Sequence, residues 1–349
     1  MAPFLRSLAV AGLTGLLVAA VQAQAAQAGW RPITVAGRVS DPTSIPVNLY
    51  YPTQAAERPI AMGPYLAHVA PEAPPAAAFK GLIVISHGKG GAELNHESLA
   101  EALAREGYLV AALRHPGDNW QDHSLFERGP AAYLDERPRQ VSRVLDAILG
   151  DPQWRDRIAK DARGPRVGAL GHSAGGYTVL ALAGGRFELG RLAAHCGTHR
   201  ADDPIFCRKT DPNAPPLKAS TTPFDGPPMV DPRVRAVVAL APLGVVFDAD
   251  SLERIALPVA IYAAADDRWL LPRFHAEWVA AHIPGATLHV VPKAWHFAFV
   301  DTPRGPIPSE DGDLRDDPPG FDRQAFLREL QRDVPAFFDA AFAVSATKP

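Results

Sequence analysis

Gly171-His172-Ser173-Ala174-Gly175 lies between the apolar run Val167-Gly168-Ala169-Leu170 and the small-residue run Gly176-Tyr177-Thr178-Val179-Leu180-Ala181-Leu182. The first run reads as a strand and the second as a helix, so the pentapeptide is a sharp strand-to-helix turn. A serine on such a turn has its hydroxyl pushed out at the carboxyl end of a sheet. Gly171 and Gly175 meet a steric requirement, because a side chain at either would strike the adjoining strand and helix. Ser173 is therefore the candidate nucleophile.

The surroundings of the turn alternate in the same way. Ile33 to Val39 and Val47 to Tyr51 read as strands, and residues 52 to 79, rich in Pro and Ala, as an irregular excursion. Leu82-Ile83-Val84-Ile85 is a continuous apolar run, the mark of a strand covered on both faces. Leu99, Ala100, Leu103 and Ala104 keep helical spacing, closed by Gly107. Leu109 to Leu113 is the next strand. Val141, Val144, Leu145 and Ile148 mark a helix closed by Gly150. Val234 to Leu240, Val259 to Ala263 and Leu288 to Val291 supply further strands. Pro272 to His282 and Asp322 to Ala343 are helical, with a kink expected at Pro335. Strand alternating with helix predicts an α/β fold with a mostly parallel central sheet covered by helices on both faces. Residues 186 to 232 break the alternation and are read as a cap-like insertion walling the site.

A serine hydroxyl needs a base, and the base needs an orienting carboxylate. On this architecture the chain order is Ser, then acid, then His, each after a later strand. Asp266 and Asp267 follow the strand Val259 to Ala263, and His296 follows the strand Leu288 to Val291. Asp267 falls where the turn presents the acid, with Asp266 the alternative. Trp295 and Phe297 flank His296 and would exclude water. An oxyanion hole needs two preorganised backbone N–H groups. The residue after the nucleophile, Ala174, offers one. The loop Ser86-His87-Gly88-Lys89-Gly90-Gly91 offers the other, from Lys89 or alternatively Gly88. That loop lacks the Gly-Lys-Ser/Thr ending of a phosphate cradle. His115-Pro116-Gly117-Asp118-Asn119 with His123 lacks the spacing of a metal site and reads as a turn, with Asp118 and Asn119 bonding locally. Trp120, Trp269 and Phe297 are either pocket-lining or core aromatics.

The N-terminus has the pattern of a secretory signal peptide, with Arg6 as its one charge, an apolar run from Leu8 to Val21 and cleavage expected after Ala25 or Ala28. The run is short for a bilayer span, and no stable membrane insertion is expected once the leader is removed. A secreted or periplasmic protein follows, with residues 29 to 349 as a single domain. In that setting Cys196 and Cys207, the only two cysteines, are expected to form a disulfide. Their spacing does not suit a metal site. The chain has 349 residues, 47% of them hydrophobic, and 35 Lys and Arg against 38 Asp and Glu. No basic stripe appears, so nucleic acid is not an expected partner.

These residues together resemble the α/β-hydrolase superfamily. Within it the chain is similar to the secreted predicted dienelactone hydrolase group, related to platelet-activating-factor acetylhydrolases and bacterial polyester hydrolases. The resemblance runs from about Tyr50 to Asp301. It is carried by Tyr51-Pro52-Thr53, Val84 to Gly88, Leu99-Ala100 with Gly107-Tyr108, His115 to Asp118, the Gly-His-Ser-Ala-Gly-Gly turn, Ala264 to Asp267, and His296 to Phe299. It implies Ser173 as nucleophile, Asp267 as orienter, His296 as base and the Lys89 and Ala174 amides as oxyanion donors, with no metal or organic cofactor. True dienelactone hydrolases use a cysteine nucleophile. Ser173 in its place favours ordinary carboxylic esters. The usual glycine before the acid turn is here Ala263 or Ala264. A serine esterase acting on a small-molecule ester is thus expected. An amidase, peptidase or acyltransferase would share the same three residues, and a non-catalytic binding protein would share the fold.

Overall fold

A computed structural model describes residues 26–208, 229–309 and 312–344. The expected leader up to position 25, and residues 209–228 of the expected insertion, lie outside the described residues. Ten strands form one sheet: β1 (Gln27–Val35), β2 (Ile45–Thr53), β3 (Arg58–Met62), β4 (Tyr65–Pro71), β5 (Leu82–Ser86), β6 (Leu109–Leu113), β7 (Val167–His172), β8 (Val234–Leu240), β9 (Val259–Ala264) and β10 (Thr287–Val291). Their order is β10-β9-β8-β7-β5-β6-β2-β1-β4-β3. From β6 to β10 every neighbouring pair is parallel. β2 runs antiparallel to β6 and β1, and β3 closes the far edge antiparallel to β4.

Strands β5 and β7 are buried along their whole length, as continuous apolar runs require when helices cover both faces. Helices α1 (Glu97–Arg105) and α7 (Arg323–Val344) cover one face. Leu99, Leu103, Phe338 and Phe342 pack there against Ile83, Ile85 and Leu170. Helices α2 (Pro130–Gly150), α3 (Ala174–Leu182) and α6 (Ala276–His282) cover the other through Val141, Leu145, Val179 and Val279. β10 departs from the pattern: as an edge strand it leaves Leu288 and Val290 exposed.

Four expectations need correction. Residues 52 to 79 are not irregular throughout, because β3 and β4 form a hairpin there, turned at Gly63 with φ +53°. Pro and Ala mask an alternation that β4 nonetheless keeps, with Tyr65, Ala67 and Val69 inward. The first strand begins at Gln27 and ends at Val35, and Val39 is exposed within a tight turn between Arg38 and Asp41. The helix read from Val141 begins at Pro130 and carries Pro138 within it. The stretch Pro272 to His282 is two pieces, a 3-10 turn (Pro272–Phe274) and α6, broken at His275.

Helix α1 buries Glu97 and Glu101 near Asp301. Burial, and next the Asp301 charge, push Glu97 up to about 9, while its Oε2 has no hydrogen-bond partner among the described residues. Burial likewise lifts Glu101 to about 7 and Asp301 to about 6. A carboxyl raised on folding holds its proton more tightly in the folded state. Its stabilisation is whole below the unfolded value and is lost as the pH rises through the folded one. Thermal stability is therefore expected to fall between pH 7 and pH 9. Glu97→Gln is expected to flatten that slope, and melts of both proteins at the two pH values check it.

Candidate active site

The turn after β7 forces Ser173 into φ 57°, ψ −117°, at the start of α3. Strain of this kind persists only where the surroundings fix it. Here the Ser173 N–H donates to Leu240 O at 2.9 Å, and Ser173 O accepts from the Leu243 N–H at 3.0 Å. A Cβ on Gly171 would stand 2.1 Å from the Gly175 carbonyl oxygen, and one on Gly175 would stand 1.9 Å from Ser86 O. Both glycines are thus required by the contact of the turn with α3 and with the end of β5.

The loops after β9 and β10 are hydrogen-bonded to each other, Ala265 N–H to Val291 O at 3.0 Å and Asp266 N–H to Ala294 O at 2.8 Å. They present their side chains to Ser173 at the carboxyl rim. His296 Nε2 lies 2.9 Å from Ser173 Oγ, and His296 Nδ1 lies 2.7 Å from Asp267 Oδ2. The other Asp267 oxygen, Oδ1, accepts from the backbone N–H groups of Trp269 and Leu270 at 2.8 and 2.9 Å. Asp267 and His296 are each 2% exposed, whereas Asp266 is at the surface. The structure therefore brings Asp267, and not Asp266, to the histidine. Trp269 stacks on the His296 ring at 5.7 Å and 13°. Phe297 stands edge-on to both.

His172 acts behind this relay. Its Nε2–H donates to the His296 carbonyl at 2.9 Å, and its ring lies 4.8 Å from the His296 ring. Burial, and next the neighbouring His296, hold it well below the usual histidine range. It is a neutral strut on the backbone of His296.

The loop Ser86 to Gly91 is anchored from below by His115, Asp118 and Arg137. The His115 N–H donates to His87 Nε2 at 3.1 Å, so His87 carries its proton on Nδ1 and donates to Gly88 O at 2.7 Å. Arg137 has no exposed surface. It donates to Asp118 Oδ2, to the His87 carbonyl, to Ser86 Oγ at 3.2 Å and to Thr178 Oγ1 at 3.1 Å. Asp118 Oδ1 in turn accepts from the Gly90 N–H at 2.8 Å. Burial raises Asp118, but the Arg137 charge, together with His87, Tyr133 and the Gly90 N–H, holds the carboxyl below its usual range. The turn reading of this segment is therefore half right. Asn119 bonds locally, to His115 O and Gln121 N–H, while Asp118 reaches across to the loop. One signal for Arg137 was present, since it lies four residues before Val141 on the apolar stripe of α2. A charge on such a stripe requires a buried partner.

The rim opens into a cavity of about 1060 Å³, lined among others by Phe126, Leu192, Phe206, Trp269, Phe297 and Leu314. Gly88, Lys89 and Ala174 border it beside Ser173. A Cβ on Gly88 would come within 3.3 Å of Ser173 Cβ, which shows how closely the loop approaches the serine. The Lys89 ammonium lies 3.5 Å from the centre of the Phe126 ring. Trp120, Trp269 and Phe297 all reach the cavity, so the pocket-lining reading of these aromatics holds. Leu192 and Phe206 come from the insertion, where α4 (Leu189–Thr198) and α5 (Pro204–Arg208) are joined by the Cys196–Cys207 disulfide, with Cα atoms 5.3 Å apart.

A parallel sheet wrapped on both faces, with a strained serine turn after β7 and the acid and histidine loops after β9 and β10, is the α/β-hydrolase fold. Solved structures of that fold match along nearly the whole chain. A ferulic acid esterase from Streptomyces cinnamoneus is 21% identical, with a TM-score of 0.59, covering 90% of this chain and 89% of its own. A dienelactone hydrolase from Anabaena variabilis is 13% identical, with a TM-score of 0.50, covering 90% of this chain and 99% of its own. No protein-family model matches the chain, and no curated protein matches it.

Proposed function

We propose that this protein is a serine hydrolase that cleaves carboxylic esters. The observation that carries the reading is the unbroken run of hydrogen bonds from Asp267 through His296 to Ser173, opening on an apolar cavity. His296 Nε2 takes the hydroxyl proton as Ser173 Oγ attacks the ester carbonyl. Asp267 holds the proton on Nδ1, so Nε2 is free to accept. The Lys89 and Ala174 amides receive the negative charge that develops on the carbonyl oxygen. As the C–O bond breaks, His296 returns the proton to the departing alcohol. A water, deprotonated by the same nitrogen, then releases the acyl group from Ser173. The similarity to esterase and dienelactone hydrolase structures supports the same reading. Secretion or export to the periplasm is proposed with it. Gln27 and Ala28 pair with Thr53 and Pro52 in the sheet, which supports leader cleavage after Ala25 over cleavage after Ala28.

A fluorophosphonate probe tests the proposal. Stoichiometric labelling at Ser173, with turnover of p-nitrophenyl acetate, is expected. A folded protein that resists the probe and turns over no ester would instead be a binding protein on a hydrolase fold.

A further inference from the structure

Asp203 takes no part in the steps above, yet it is fully buried where the cap meets the body. Its Oδ2 accepts from His195 Nε2 of α4 at 2.9 Å. The same oxygen lies 3.8 Å from His275 Nε2, at the break before α6. His275 Nδ1 accepts from the Gly244 N–H at 3.1 Å, which leaves the ring proton on Nε2, on the side of Asp203. That tautomer deprives Nε2 of the lone pair a metal would need. Cys207 Sγ also approaches His195 and Asp203, but it is tied up in the disulfide. The cluster is therefore a carboxylate hydrogen-bonded by His195 and faced at 3.8 Å by the His275 Nε2–H, rather than a cation site. Asp203 Oδ1 and His275 Nε2 have no hydrogen-bond partner among the described residues. Burial raises Asp203, but the two histidines outweigh it and keep the carboxyl below its usual range.

The place of this cluster in the chain gives it a consequence for substrates. Asp203 directly precedes α5, and its backbone carbonyl accepts from the Cys207 N–H at 3.0 Å. Two residues of α5, Ile205 and Phe206, form part of the cavity wall, together with Leu192 of α4. The Phe206 ring stands edge-on to His275 at 5.0 Å. Among the described residues helix α5 spans Pro204–Arg208. The disulfide fixes its far end to α4, and Asp203 fixes its near end to the body. The body end of the link is close to the nucleophile, because Leu243, next to Gly244, donates to Ser173 O.

We propose that Asp203 is a specificity-determining positioning residue: by linking His195 of the cap to His275 of the body, it sets the wall that favours esters with a bulky apolar group over acetates. This rests on the cavity being the ester site. The test compares kcat/KM for p-nitrophenyl acetate, butyrate and octanoate in wild type and Asp203→Ala. In the variant octanoate is expected to lose on the order of tenfold, through KM, equivalent to about two methylene groups losing their contacts. Acetate should stay within about threefold. Equal losses on all three esters, or an unchanged profile, would overturn the proposal. If Asp203→Ala does not fold, His195→Gln and His195→Leu decide. Gln retains a donor and should keep the wild-type profile, Leu should flatten it, and identical profiles overturn the link. Fluorophosphonate labelling of each protein comes first. Failure in the wild type overturns the ester reading itself, whereas labelling with an unchanged profile overturns only the role of Asp203.

Discussion

Replacing Ser173 by alanine is expected to lower p-nitrophenyl acetate turnover by about 10⁴-fold or more and to leave the fold intact. Ser173 Oγ bonds to His296 and provides no cap to α3, so little structure is lost with it. Alanine at φ 57° carries the same backbone strain as serine. His296→Ala should cost a similar amount, and the double variant little more than either single one, because the two groups act as a unit. The companion substitution discriminates more sharply. In Asp267→Asn the amide oxygen is expected to stay with the Trp269 and Leu270 N–H groups, where Asp267 Oδ1 sits now. The amide nitrogen then faces His296 Nδ1 and donates to it. The ring proton moves to Nε2, which faces Ser173 and can no longer accept, and turnover is expected to fall by about 10⁴-fold. Asp266→Asn changes an exposed side chain and should leave turnover within about twofold. Steady-state rates of the five variants, with circular dichroism for fold, check the set. A full loss in Asp266→Asn with none in Asp267→Asn would reverse the assignment.

Much of this site was legible because its chemistry is bound to strand ends. The apolar runs of β5, β7, β8 and β9 are continuous, since both faces of those strands are covered, and such runs mark strands without an alignment. Three strand ends carry residue types that the sequence exposes: glycine and serine after β7, an aspartate pair after β9, and a histidine between aromatics after the edge strand β10. The choice between Asp266 and Asp267 rested on counting along a turn. The structure supplies what the count lacked, two backbone donors on Asp267 Oδ1 and an imidazole on Oδ2. The β3–β4 hairpin was missed because prolines and alanines blur a period of two in strands this short. The His275 break was missed because a 3-10 turn and a helix share much of the same hydrophobic spacing. The apolar stripe of α2 marks Arg137 as buried, but the partners of Arg137 and Asp203 could not be read. One sequence carries no record of which buried charges meet.

Substituting Arg137 should give the largest loss of stability of any change outside the core. Its guanidinium is fully buried and serves Asp118, the His87 carbonyl, Ser86 Oγ and Thr178 Oγ1 together. Arg137→Met leaves the Asp118 carboxylate buried with only the Gly90 N–H and neutral neighbours. Removing one partner of a buried pair costs about 3–5 kcal/mol, because the remaining charge is uncompensated. Lysine offers three donors from one point, against a planar fork spread over four acceptors, so Arg137→Lys should recover only part of the loss. Removing both charges, in Arg137→Met with Asp118→Leu, should recover more, since a buried pair is often replaceable by apolar residues of similar volume. Activity should not return with stability. The His87 carbonyl and the Gly90 N–H bracket Gly88 and Lys89, and in the double variant both have lost their anchors. Under the proposed mechanism the Lys89 amide then has no fixed direction, and a donor that must reorganise during the reaction stabilises the oxyanion less. The double variant is thus expected to approach wild-type stability in urea titration while its kcat stays about 10²-fold down, the usual cost of one oxyanion donor. If kcat recovered in step with stability, the network would be a structural support only, and the loop would hold its geometry without it.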